Sequence, residues 1–246
     1  MYVETIIVAG ALCGGFVTGL SGFGTGLTAL GFWLYVLDPA IAAALVVTCS
    51  VIGQVQSLCT VRRAVTWTRI WPFLIGGVAG VPLGVMALRL VDAQTLKGLL
   101  GVFLVGYAGL MLSLRQLPVV SAWGGKLADG VVGTGGGVLG GLSGLPGPLP
   151  TIWCGLRGWR ADLQRGVCQP FNLVILCMAL AIYAVQGLLT REVWQLTLLC
   201  APAMMLGTYC GMRLYRRVDD RQFRYLVLWL LLASGLVLSL SNLAAT

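Results

Sequence analysis

The stretch Thr18-Gly-Leu-Ser-Gly-Phe-Gly-Thr-Gly26 returns, altered, as Gly140-Gly-Leu-Ser-Gly-Leu-Pro-Gly-Pro148, about half a chain later. Both copies share Gly-Leu-Ser-Gly and lie inside apolar sequence. Glycine at this density cannot hold a rigid helix, because each costs about 1 kcal/mol relative to alanine. Backbone can leave a helix within a bilayer only where protein buries it or where it lines a cavity. A chain built twice, with a polar interruption at the same place in each half, carries the pattern of a transporter.

Composition agrees. The chain has 246 residues, of which 58% are hydrophobic and 10% charged, with a mean hydropathy of +0.92. Soluble domains carry roughly 25% charged residues, so the expected class is an all-α polytopic membrane protein. The start, Met1-Tyr-Val-Glu4, lacks the basic residues of a cleavable signal, and the first apolar segment is expected to stay in the protein. The net charge of +8 reflects basic residues flanking apolar spans, which fits loops obeying the positive-inside rule and not nucleic-acid binding. The eight cysteines are scattered singly and read as small hydrophobes. With no histidine and no C-x-x-C pair, neither a metal, a haem nor another cofactor is expected. No Ser/His/Asp constellation is available, so the chain is not expected to be an enzyme.

Apolar segments recur in one order. In the first half they run over 3–20, the break, 26–37, then 40–60, 68–90 and 95–114. The second half repeats this as 127–142, the break, 149–157, then 163–187, 192–214 and 222–243. The continuous spans approach the ~20 residues needed to cross the hydrocarbon, and the segments beside each break read as shorter half-helices. The expected architecture is two homologous repeats, 1–116 and 117–246, each a glycine-broken hairpin plus three full spans. If each hairpin enters and leaves on one side, the repeats are inverted. One face then keeps only Arg89, Lys97 and Arg191, and the other basic residues gather opposite. Halves of parallel orientation divide the charges more evenly, so the positive-inside bias favours inversion, with both termini outside.

Chemistry concentrates at the breaks. A helix resuming near Gly26 presents unpaired N–H groups and the positive end of its dipole to an anion. Gly22, Gly24, Gly144 and Gly147 allow close backbone approach, and Ser21, Thr25 and Ser143 add hydroxyl donors. The prolines at 146, 148 and 150 suit a helix start, where no N–H is needed. Downstream, Arg165, Gln169 and Asn172 fall at i, i+4 and i+7, a polar stripe on an apolar span. Arg165 could pair with an oxyanion or snorkel to the interface. Thr48, Ser50, Gln54 and Gln56 are the first-half polar residues in the corresponding span, equally suited to ligand contact or interhelical bonding. The bland alternative for the glycines themselves is close helix packing through small residues. Acidic residues fall near predicted span ends, so proton coupling is not legible.

At these residues the chain resembles the sulfite exporter TauE/SafE family, also called the 4-toluene sulfonate uptake permeases. The resemblance rests on the paired glycine segments, Ala44-Leu-Val-Val-Thr-Cys-Ser50, the Pro-Leu-Gly84 span, Gly147-Pro-Leu-Pro150, and Leu163-Gln-Arg165 entering a helix. Departures are Thr28-Ala-Leu-Gly31, without the proline often found there, and Gly166-Val-Cys168 in place of Ala-Thr. The resemblance implies a bacterial inner-membrane carrier of sulfite, sulfonates or related small organic anions. Its expected partners are that anion and membrane lipid, with self-association into a homo-oligomer possible. Other classes that fit the same donors are an anion channel and a membrane-embedded structural subunit.

Overall fold

The computed structural model describes residues 2–61, 65–90, 93–113 and 124–215, with Trp229, Leu232 and Leu236. The expected span 222–243 and the basic residues Arg62, Arg63, Arg115, Arg216, Arg217, Arg221 and Arg224 lie outside the residues so described, as do the side chains of Arg89 and Lys97. The described secondary structure is helical: α1 (Tyr2–Ser21), α2 (Thr25–Val36), α3 (Pro39–Val61), α4 (Trp67–Leu90), α5 (Ala93–Ser113), α6 (Gly125–Ser143), α7 (Pro148–Leu156), α8 (Ala161–Val185) and α9 (Arg191–Tyr215). Both glycine-rich stretches interrupt helices, as expected. Five helices, α1, α3, α4, α8 and α9, are long and apolar enough to cross a membrane. The chain is a multi-pass membrane protein.

One expectation is corrected. The arms beside each break are not both short: α1 has 20 residues and α6 has 19, whereas α2 has 12 and α7 only nine. The reason lies in how each short arm folds back. The Trp33 indole on α2 donates to the Ile7 carbonyl of α1 at 2.9 Å, and the Thr18 and Thr25 hydroxyls meet at 2.6 Å beside the break. In the second half the Trp153 indole donates to Asp129 Oδ1 on α6 at 2.6 Å. Arg157, just past α7, donates to the same carboxylate oxygen at 2.9 Å and to the Gly125 carbonyl at 2.7 Å. Each return arm therefore ends beside the beginning of its partner. Asp129, expected near a span end, is buried within α6 and neutralised by Arg157 there.

Packing between the halves is reciprocal: α1 lies along α9, and α6 lies along α4. Without a hydrophobic drive between helices in lipid, such contacts depend on close approach through small residues. On α4, a Cβ added to Gly76, Gly80 or Gly84 would overlap the carbonyl oxygen of Gly130, Thr134 or Val138 of α6. In return, Gly133, Gly137 and Gly141 sit on the carbonyls of Phe73, Gly77 and Val81. The α1–α9 pair repeats the device with Gly15 and Gly19 against Met204 and Thr208, and Gly207 and Gly211 against Leu12 and Phe16. In both pairs residue numbers rise together, so the paired helices run parallel. Part of the glycine excess is thus packing, as the bland alternative held, and Gly19 and Gly141 of the two quoted stretches share in it.

A constant offset carries Gly15, Gly19, Ser21 and Gly22 onto Gly137, Gly141, Ser143 and Gly144. The same offset carries Ile7 onto Asp129, the two residues that receive the indole N–H of each return arm. It also carries Ser50 of α3 onto Asn172 of α8, and these two helices pack against each other.

Candidate functional site

Each break is set by glycine. Gly22 (φ 80) and Gly24 (φ 121) separate α1 from α2, and Gly144 (φ 68) ends α6. A left-handed backbone carries a steric cost of roughly 1–2 kcal/mol for residues with a Cβ, so these positions need glycine wherever the turn is to form. At Gly144 the turn closes as a helix C-cap: its N–H donates to the Gly140 carbonyl at 2.9 Å, and Leu145 N–H to Leu139 at 3.2 Å. The helices resume at Thr25 and Pro148, and no side chain caps either start.

The two breaks meet. A Cβ on Gly26 would touch Leu145 and the Gly144 carbonyl, and one on Gly147 would press on the Phe23 side chain. Between them lies a cavity of about 10 Å³. It is lined by Gly24 and Thr25 at the start of α2, Gly147 and Pro148 at the start of α7, Gly144, Ser50 and Gln54 of α3, and Asn172 of α8. Phe23, Leu145, Pro146 and Leu176 complete the wall. A void of this size holds about one water, less than an oxyanion's volume.

Its polar groups are poised but unused. Asn172 is 0% exposed, and neither its Nδ2 nor its Oδ1 has a hydrogen-bond partner; Ser50 Oγ, on a residue 3% exposed, likewise has none. A buried polar group left unpaired costs about 1–3 kcal/mol, so the fold keeps these two at a price that ligand binding can offset. Gln54 donates through Nε2 to the Gly22 carbonyl at 2.9 Å, and its Oε1 has no partner. Helix starts supply further donors, because the first N–H groups have no intrahelical acceptor. On α2 these are Thr25, Gly26 and Leu27. On α7, Pro148 and Pro150 carry no N–H, so that first turn contributes its dipole and little else.

The expected site residues divide accordingly. Gly24, Thr25, Gly144, Gly147 and Asn172 come together at the cavity. Ser21, Gly22, Ser143 and Gln169 shape or brace the breaks without lining it. Ser21 Oγ donates to the Val17 carbonyl at 2.8 Å and contacts the Phe23 carbonyl, and Ser143 Oγ donates to Leu139 at 3.2 Å. Gln169 Nε2 donates to Ser57 Oγ at 3.1 Å, with its side chain against Gly22. Arg165 is elsewhere: its guanidinium lies 3.4 Å from the centroid of the Tyr215 ring. A stack on the end of α9 anchors the positive charge outside the cavity. Ser50 and Gln54, undecided from the residue pattern, line the cavity instead; the offset that equates Ser50 with Asn172 was the signal for the first of them.

The lining supplies helix starts, hydroxyls and two side-chain amides, groups suited to hydrogen-bonding an anion. No curated protein and no solved structure matches this chain. A family model described as sulfite exporter TauE/SafE matches residues 6–238, nearly the whole sequence. The chain therefore belongs to the sulfite exporter TauE/SafE family of membrane transporters.

Proposed function

We propose that this protein is a secondary transporter that moves small sulfur-containing oxyanions or organosulfonates across the bacterial inner membrane by alternating access. The observation that carries this is the convergence of two unwound breaks on one cavity, where Asn172 and Ser50 are buried without partners. Substrates of secondary transporters bind where discontinuous helices meet, with half-helix starts facing the anion. The family assignment supports the substrate class.

The halves, 1–116 and 117–246, act as inverted repeats in this mechanism. Three features support that: each return arm ends beside the start of its hairpin, α6 runs parallel to α4, and the contacts between halves are reciprocal. With a cavity of about 10 Å³, the site has room for about one water, and substrate enters when one hairpin withdraws from the other. The glycine interlocks make α1–α9 and α6–α4 rigid units, so the parting surface is the contact of the breaks with each other and with α3 and α8.

Purified protein in proteoliposomes tests this. Labelled sulfite and a labelled organosulfonate should show saturable counterflow, and Asn172→Ala with Ser50→Ala should lower exchange at least tenfold, equivalent to about 1.4 kcal/mol of lost binding. Conductance without counterflow would make the protein a channel. Absence of any flux would leave a structural role.

A further inference from the structure

We infer that the site accepts its substrate as a singly charged anion, hydrogensulfite or an organosulfonate, and rejects the doubly charged forms of sulfite, sulfate and thiosulfate. This rests on the transport function proposed above and adds the charge state of the cargo.

The field at the cavity amounts to about one charge. A helix start carries roughly half a positive charge, and two of them face the cavity, α2 through Gly24 and Thr25 and α7 through Gly147 and Pro148. Among the described residues no charged side chain lines it. The charged groups on the surrounding elements lie elsewhere. Around α1 to α3 these are Glu4 and Asp38, with none on α2 itself. On α6, Asp129 is paired with Arg157, and Lys126 stands in the first turn, exposed. Arg160 and Asp162 flank the start of α8, and Arg165 is held on Tyr215. The thiols nearest in sequence, Cys49 of α3 and Cys168 of α8, do not line the cavity either.

Desolvation then decides between charge states. The cost of taking an ion out of water grows with the square of its charge, so a dianion costs about four times what a monoanion does. Two helix starts match one negative charge, and among the described residues no cation lines the cavity to offset a second. Donors are scarce as well, because Pro148 and Pro150 remove N–H groups from one of the two starts. Beside the neutral polar groups of Ser50, Gln54 and Asn172, the wall is apolar, formed by Phe23, Leu145, Pro146 and Leu176, and so suits a protonated oxygen or an organic group in place of a second charge.

Sulfite and sulfonate separate the idea from any titration of the protein, because the sulfite dianion takes up its first proton near neutrality, giving hydrogensulfite, and a sulfonate stays a monoanion throughout. Initial counterflow rates would be measured in proteoliposomes of the full chain, below saturation, from mildly acidic to mildly alkaline buffer. Protein-free vesicles correct for uncharged sulfur dioxide. The sulfite rate should fall about tenfold per pH unit above its second ionisation, the methanesulfonate rate should stay level, and sulfate should not compete. A sulfite rate that is level or rises with pH, a methanesulfonate rate that falls in parallel, or competition by sulfate overturns the inference while leaving transport intact. No saturable exchange of either anion overturns both.

Discussion

Asn172→Leu should make this protein more stable and transport-dead at once. Asn172 is fully buried, and both polar atoms of its amide lack partners. Each unpaired polar atom costs about 1–3 kcal/mol, and leucine has the same branching and number of side-chain heavy atoms without that cost. A cavity of about 10 Å³ has room for about one water to offset part of the penalty, so a net gain of about 2 kcal/mol is expected. For a chain of this length that corresponds to roughly 4–8 °C in melting temperature. Thr197→Val is the matched control. Its hydroxyl donates to the Val193 carbonyl at 2.7 Å and meets Thr48 Oγ1 at 2.8 Å, so its loss should cost about 1 kcal/mol. Tryptophan fluorescence during heating in detergent reads both variants, and counterflow in proteoliposomes reads function. An Asn172→Leu protein that melts below the parent, or that exchanges anion at the parent rate, refutes the view that this amide is kept unpaired for a ligand.

Further outcomes are expected at the breaks and interlocks. Gly144→Ala places a Cβ at φ 68 and against the Val46 side chain, which should lower stability by about 1–3 kcal/mol and be visible as a lower melting temperature. Gly80→Leu drives a side chain into the Thr134 carbonyl on α6; overpacking of this kind costs typically 1–3 kcal/mol, and loss of folded, monodisperse protein on gel filtration checks it. The Cys154 and Cys168 sulfurs lie 3.8 Å apart between α7 and α8. If the α7 hairpin moves against α8 during transport, oxidation to a disulfide should stop counterflow and a reductant restore it, whereas Cys154→Ser protein should ignore the oxidant. Asp129→Ala removes the carboxylate that Arg157 and Trp153 share, and should loosen the open end of the second hairpin at a cost of about 1–3 kcal/mol, read as earlier unfolding.

Membrane class, the order of the described helices and the position of both breaks were legible from the residues alone. These depend on local chemistry: runs of apolar side chains near the length of a bilayer, and glycine or proline where a helix must stop. Gly24, Thr25, Gly144, Gly147 and Asn172 were named on that basis, and the fold assembles them at one cavity. Tertiary structure alone decided the partners. Arg165 shares a helical stripe with Gln169 and Asn172, yet a stripe along one helix spans several neighbours, and Tyr215 of α9 takes the guanidinium. Ser50 and Gln54 became lining residues because α3 packs against α8, a contact between the halves that no local pattern encodes. The use of Gly76, Gly80 and Gly84 as seats for carbonyls of α6 has the same origin. Which glycine bends the chain and which one admits a neighbour depends on what lies across from it, and that is settled only when the helices meet.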